Sequence, residues 1–265
     1  MTYLDSHNIQ HLIFKSPSTK AYPTLFPPTQ SSSLSSSLRI LELDSCHVDL
    51  SNPTPCMPKL TTLYLNGCDF APNSKTLDQL EFDPFASCVN LKQLYLHKCQ
   101  FSEGITLKIT APRLVSLDIT ELTIPHKRDA AFDHIIKLEI WTPKLLSLRL
   151  NLYMPLDFSC LHLPVLENLD VQICSATTNN RTTVSFLLNM FRGFHNAQRI
   201  KICSKIILIL SLLHQLAALH TQPPLFTRLK TLTVQRLKGS SLNKIPDNVL
   251  SYFLKGTSLA SVEYE

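Results

Sequence analysis

The sequence predicts an α/β protein: a right-handed, horseshoe-shaped solenoid of about ten irregular repeats with one parallel sheet on its concave side. Three observations predict it. Leucine is in excess, about 47 of 265 residues, more than an ordinary globular core uses. Three segments share one frame: LRILELDSC from Leu38, LTTLYLNGC from Leu60 and LKQLYLHKC from Leu91. All read L-x-x-L-x-L-x-x-C, the leucine-rich-repeat signature with Cys in its Asn/Cys slot. Finally, Pro58, Pro112, Pro143 and Pro164 each stand two residues before a motif leucine. A fixed φ and a missing donor suit a turn that feeds a strand.

Taken in order, the first copy is degenerate and starts at Ile9, with Leu12 and Phe14. Pro27 to Ser37 (PPTQSSSLSSS) reads as a Pro- and Ser-rich loop within the second interval. The copy before it argues for one domain over residues 1–265. After the three clear copies come Leu114, Leu117, Ile119 and Leu122, then Leu145, Leu148, Leu150 and Tyr153. Leu166, Leu169, Val171 and Cys174 make a fourth clear copy. Leu229, with Leu232, Val234 and Leu237, makes a further degenerate copy, and weaker ones stand at Ala197 (Ile200, Ile202) and Leu259 (Val262, Tyr264).

The intervals carry their own elements. Leu107-Lys108-Ile109, Leu138-Glu139-Ile140 and Leu161-His162-Leu163 predict short strands on the convex side. Thr183 to Phe194 and Ile206 to His220 predict helices from their length and apolar content. Pro246 at a first helical position, then Val249, Leu250, Phe253 and Leu254, ended by Gly256, predicts a short capped helix.

The spacing has a simple physical reading. In x-L-x-L-x the two leucines point to one face of a strand and the x positions to the other. One such strand cannot bury its apolar face alone, whereas parallel stacking makes a continuous core. The Cys slot then falls where the chain turns inward. Cys46, Cys68, Cys99 and Cys174 are therefore expected to be small buried packing groups.

Composition excludes several functions. Net charge is +5, with basic residues scattered along the chain. Lys127-Arg128 and the Arg199, Lys201, Lys205 group are too sparse for a phosphate track, so no nucleic-acid partner is expected. Only 5 glycines occur, all far apart, which excludes a Gly-rich phosphate cradle and a nucleophile elbow. The opening MTYLDSHNIQ has neither a basic nor an apolar signal region. The longest apolar run, Ile206 to Leu213, extends to Leu219 only across His214 and Gln215. That is short for a membrane span, so no membrane association is expected. A cytoplasmic or nuclear location with reduced thiols is expected. The 8 cysteines contain no C-x-x-C pair, and Cys160-Leu161-His162 lacks a second ligand pair, so no metal is expected. No nucleophile–base arrangement can be placed, so neither catalytic residues, enzymatic activity nor a cofactor is expected.

The outward strand positions supply the candidate site. Tyr64 and Tyr95 occupy equivalent places in neighbouring copies, and His97 stands beside them. Aromatic residues and Arg anchor protein interfaces. The expected partner-binding patch centres on Tyr64, Tyr95, His97 and Arg149, edged by Asp118 and Asp170. The two aspartates, in separate copies with Arg149 between them, read as a charge-neutralising array rather than an acid/base pair. A purely structural alternative is cross-strand pairing that stiffens the sheet.

With these residues placed, the chain resembles the plant F-box/leucine-rich-repeat proteins of the FBD-like group. HNIQHLIF followed by SLRILELDSC resembles the first repeats after the F-box in that group. DPFASCVNLKQLYLHKC and LKITAPRLVSLDI resemble its middle repeats, and IPDNVLSYFLKGTSLASVEYE its C-terminal ending. The resemblance implies that the repeat region recognises a substrate protein on its concave face. An F-box, where present, docks onto a cullin-RING ubiquitin ligase through its adaptor. Its LPD-x-hydrophobic opening and Trp-containing end are missing ahead of Ile9, and the sole Trp is Trp141. The expectation is thus a noncatalytic interaction module whose link to the ligase adaptor needs an F-box supplied upstream. The alternative is a leucine-rich-repeat scaffold or decoy with no ubiquitin-ligase link.

Overall fold

Each motif core folds as the short strand its alternation predicts. The computed structural model describes residues 9–16, 37–49, 57–71, 81–102, 105–124, 136–153, 156–174, 181–211, 226–236, 244–255, 257 and 260–265. The Pro- and Ser-rich loop expected at 27–37 lies outside the described residues except for Ser37.

In chain order the strands begin with β1 (His11–Lys15), β2 (Ile40–Asp44), β3 (His47–Asp49), β4 (Thr62–Asn66), β5 (Asp69–Ala71) and β6 (Glu81–Phe82). Next are β7 (Gln93–His97), β8 (Gln100–Phe101), β9 (Thr106–Thr110), β10 (Ser116–Thr120), β11 (Ile136–Trp141) and β12 (Ser147–Leu152). Last are β13 (Leu156–His162), β14 (Asn168–Ile173), β15 (Arg199–Cys203), β16 (Thr231–Gln235) and β17 (Ser261–Tyr264). The helices are α1 (Arg181–Gly193), α2 (Ser204–Ser211) and α3 (Asp247–Leu254).

The protein is α/β with one large parallel sheet. Its ten strands run β1-β2-β4-β7-β10-β12-β14-β15-β16-β17, in chain order across the sheet. Pairing is parallel and in step throughout. Leu12, Leu41, Leu63, Leu94, Leu117, Leu148, Leu169, Ile200, Leu232 and Val262 face one another from strand to strand. A second inward column runs from Phe14 through Leu43, Leu65, Leu96, Ile119, Leu150, Val171, Ile202 and Val234 to Tyr264. Between the sheet's end strands both columns are buried, whereas Leu12, Phe14 and Val262 are only partly covered and Tyr264 is exposed.

The energetics explain why these strands come as a stack. Burying a leucine stabilises by about 1.5–3 kcal/mol. Ordering the backbone costs about 1–2 kcal/mol per residue. A strand of 5 residues carrying two inward leucines therefore loses on its own. It becomes favourable once neighbours on both sides share the core and the backbone hydrogen bonds.

Two smaller sheets, also parallel, lie outside the main one. The first is ordered β13-β11-β9-β6 and contains the expected alternations around Leu107, Leu138 and Leu161, though Leu163 falls just beyond β13. The second, β3-β5-β8, was not legible as strand in the sequence. It forms directly after the Cys slots, and Phe70 stacks on Phe101 within it at 4.7 Å.

The turn between main strand and Cys slot is left-handed. Ser45, Gly67, Lys98 and Glu121 have φ of 56°, 59°, 52° and 57°. Each sends the next residue inward, and Cys46, Cys68, Cys99 and Leu122 are all buried. The thiols of Cys68 and Cys99 donate to carbonyls of the preceding copy, Leu43 O at 3.6 Å and Leu65 O at 3.5 Å. Burial pushes the Cys46 thiol up to about 12 and raises that of Cys99, while its hydrogen bond with Cys99 lowers that of Cys68.

Cys174 corrects the expectation of four equivalent packing cysteines, because it is exposed. The position before it is Ile173, a β-branched residue that resists the left-handed region. Strand β14 accordingly runs on through Ile173, and β12 likewise through Leu152. Without the inward turn, the Cys174 thiol stays on the surface and donates to Asn151 Oδ1 at 2.8 Å.

The helices cover the C-terminal half of the core. α1 begins two residues before the expected Thr183 and buries Val184, Leu187, Leu188, Met190 and Phe191. Its last residue, Gly193, lies so close to β13 that a Cβ there would meet Leu161 Cδ1 at 2.2 Å. α2 takes up the start of the expected 206–220 helix, and 212–220 lie outside the described residues. Pro246 caps α3 rather than opening it, since its ψ of 141° is extended and helical geometry starts at Asp247. Gly256, the expected stop, lies outside the described residues. Phe191, Phe226, Tyr252 and Phe253 pack in edge-on and tilted contacts over this end.

The left-handed turn and the Cys burial each give a measurable outcome. Gly67→Val places a β-branched side chain at φ 59° with no close contact to blame, the nearest atom being Ser45 Oγ at 3.5 Å. It should lower unfolding free energy by about 1–3 kcal/mol in urea titrations. An unchanged midpoint would disprove the strained turn. Native alkylation with iodoacetamide should modify Cys174 well before Cys46, Cys68 or Cys99, as mapped by peptide mass spectrometry.

Candidate functional site

Because side chains alternate across a strand, the same register that aligns the leucines also aligns the outward residues. The central outward row reads Ile13, Glu42, Tyr64, Tyr95, Asp118, Arg149, Asp170, Lys201, Thr233 and Glu263. Tyr64, Tyr95, Asp118, Arg149 and Asp170, all named from sequence, are thus consecutive neighbours on five strands. His97 stands in the adjacent row, between Asn66 and Thr120.

These residues touch. The Tyr64 and Tyr95 rings stack with centroids 4.2 Å apart and planes 11° from parallel. His97 meets the Tyr95 ring edge-on at 6.0 Å, and its Nε2 lies 3.4 Å from Asp118 Oδ1. Arg149 spans two carboxylates, with Nη1 3.7 Å from Asp118 Oδ2 and Nε donating to Asp170 Oδ2 at 3.3 Å. The Arg149 side chain is still 56% exposed, so each of these pairs contributes little to stability.

Asp118 is the electrostatic hub. Burial alone would raise its pKa. His97, the Thr120 hydroxyl donating at 2.8 Å, and Arg149 together outweigh that and hold the carboxyl below its ordinary 3.8. Tyr95 shifts up, first through burial, then through its contact with Tyr64 and the charge of Asp118.

Concavities open on this face among the described residues. One of about 350 Å³ is lined by Asp118, Arg149, Asp170, Arg199 and Lys201. Its charges are matched internally: Arg149 as above, Lys201 by Glu265, and Arg199 by Asn168 and Glu167. Another, about 250 Å³, has Tyr64 and Tyr95 on one side with Glu42, Asp44 and Asn66 beside them, and Lys15 also lines it. Glu42, Asp44 and Asn66 stand at outward positions, but sequence reasoning left them out of the site. The register that sets them beside Tyr64 was the available signal, and a carboxylate on an outward position looks like any solvated charge until its neighbours are known.

Among the described residues no group of three His, Cys, Asp or Glu side chains converges as a metal site. Among the same residues no helix is long and apolar enough to cross a membrane.

Fold and face define the class: an α/β protein with a large parallel sheet that carries a row of aromatic and charged side chains on its outward side. No family model matches the chain, and no curated protein matches it.

The Asp118 environment has a pH signature. A carboxyl with a lowered folded pKa adds stability above its unfolded value, and that contribution is lost as pH falls through the folded value. Asp118→Asn should therefore be less stable than the native chain near neutral pH. The difference should shrink below about pH 4 in denaturant titrations. A difference independent of pH would contradict the arrangement.

Proposed function

We propose that this chain is a leucine-rich-repeat solenoid of about ten rungs, curved as a horseshoe, that serves as a noncatalytic protein–protein interaction module. On this reading it resembles the substrate-recognition region of an F-box ubiquitin-ligase receptor, working in the cytoplasm or nucleus. A cullin-RING adaptor enters only through an F-box supplied from upstream.

One observation carries the reading: an in-register row of aromatic, guanidinium and carboxylate side chains across adjacent strands, all partly open to solvent. Tyr and Arg are the side chains that dominate binding free energy at interfaces. A rigid sheet presents them with little ordering cost left to meet on association. The sequential strand order and the two unbroken apolar columns support the repeat assignment.

The test compares proteins captured from plant extract by the native chain and by a Tyr64→Ala/Tyr95→Ala/Arg149→Ala variant of matching circular dichroism and melting temperature. A set of proteins held by the native chain and lost by the variant is expected. Identical capture by both would overturn the reading.

A further inference from the structure

The two halves of the outward face differ in how their charges are satisfied. Toward the C-terminal strands, Arg149 and Lys201 are matched by Asp118, Asp170 and Glu265. Toward the N-terminal strands the matching is incomplete. Asp44 accepts hydrogen bonds from two neutral donors, Asn66 Nδ2 at 3.1 Å and Ser45 Oγ at 3.1 Å. Its register neighbour is Lys15, yet among the described residues no lysine or arginine forms an ion pair with it. Glu42 meets a histidine, its Oε1 lying 2.9 Å from His11 Nε2.

These carboxylates flank an aromatic face. Tyr95 covers one side of the Tyr64 ring at 4.2 Å. The other side looks toward β2, where Glu42 is the direct register partner of Tyr64 and Asp44 that of Asn66. The concavity there, about 250 Å³, has room for a side-chain head group; Lys15 also lines it, but among the described residues its ammonium forms no ion pair with Asp44 or Glu42. A ring face carries negative quadrupole density and attracts a cation. A carboxylate beside it adds a charge-assisted acceptor.

We propose that this trough seats the arginine side chain of an extended segment of the partner protein. The guanidinium lies against the β2-facing side of Tyr64 and donates to Asp44 and Glu42. Arginine fits better than lysine because its plane stacks on an aromatic ring while its fork still reaches a carboxylate. The inference rests on the interaction reading above and specifies what the N-terminal half of that face binds.

A phage library displaying random twelve-residue peptides, selected on the full chain, tests it. Arginine should be enriched at one position of the binders. Their affinity should fall about tenfold in Asp44→Asn and in Tyr64→Ala, with Tyr64→Phe close to native because the ring remains. Replacing that arginine by citrulline, its neutral isostere, should weaken binding similarly. Binders that are lost by Arg149→Ala but show no arginine preference and ignore Asp44→Asn would overturn this inference and leave the interaction reading intact. Binders indifferent to all these substitutions, or no binders at all, would overturn both.

Discussion

The structure depends on one constraint: parallel strands must pair without a slip in register. A strand's side chains alternate with a period of two, so a shift of one residue would exchange its inward and outward sets. Across the ten strands no such shift occurs between partners on the main sheet. The apolar columns through Leu94 and Leu96 are one result of this. The row of Tyr64, Tyr95, Asp118, Arg149 and Asp170 is the other, since core and face are two sides of the same alternation.

A second device works at the end of each strand. Where the residue before the Cys slot takes a left-handed conformation, the chain dives and the slot is sealed, as at Cys46, Cys68, Cys99 and Leu122. Ser, Gly, Lys and Glu hold that position. Where Leu152 or Ile173 stands instead, the strand continues and the slot residue surfaces, as at Tyr153 and Cys174. One backbone dihedral thus decides whether a thiol is a core group or a surface one. The same turn also launches the short strands of the β3-β5-β8 sheet, which is confined to copies that make it.

Charge on the outward face is organised along the row rather than pooled. Arg149 sits between two aspartates on adjacent strands, so each ion is screened by its register partners before any ligand arrives. Such a row favours specificity over gross attraction, because a ligand must replace or complement contacts already made. The aromatic stack beside it contributes about 0.5–1.5 kcal/mol beyond simple burial. It also fixes the position of the Tyr64 face without using any ligand.

Much was legible in the primary structure. The spacing of Leu41, Leu63, Leu94 and Leu169 implied inward columns and hence the outward places of the candidate residues, because strand alternation is a local property of the backbone. The alternations around Leu107 and Leu138, which form the β13-β11-β9-β6 sheet, were legible for the same reason. Several features were decided only by the folded chain. Cys174 matched the motif, yet its burial hinged on the left-handed turn that Ile173 refuses. The β3-β5-β8 strands are too short to show a period, and they exist because successive turns bring them side by side. Glu42 and Asp44 became distinct from other surface carboxylates only when the register set one beside Tyr64 and, among the described residues, gave the other no lysine or arginine ion pair. Periodicity along a chain predicts which way a side chain points; what it meets depends on neighbours some 20 to 30 residues away, and those are brought together by stacking alone.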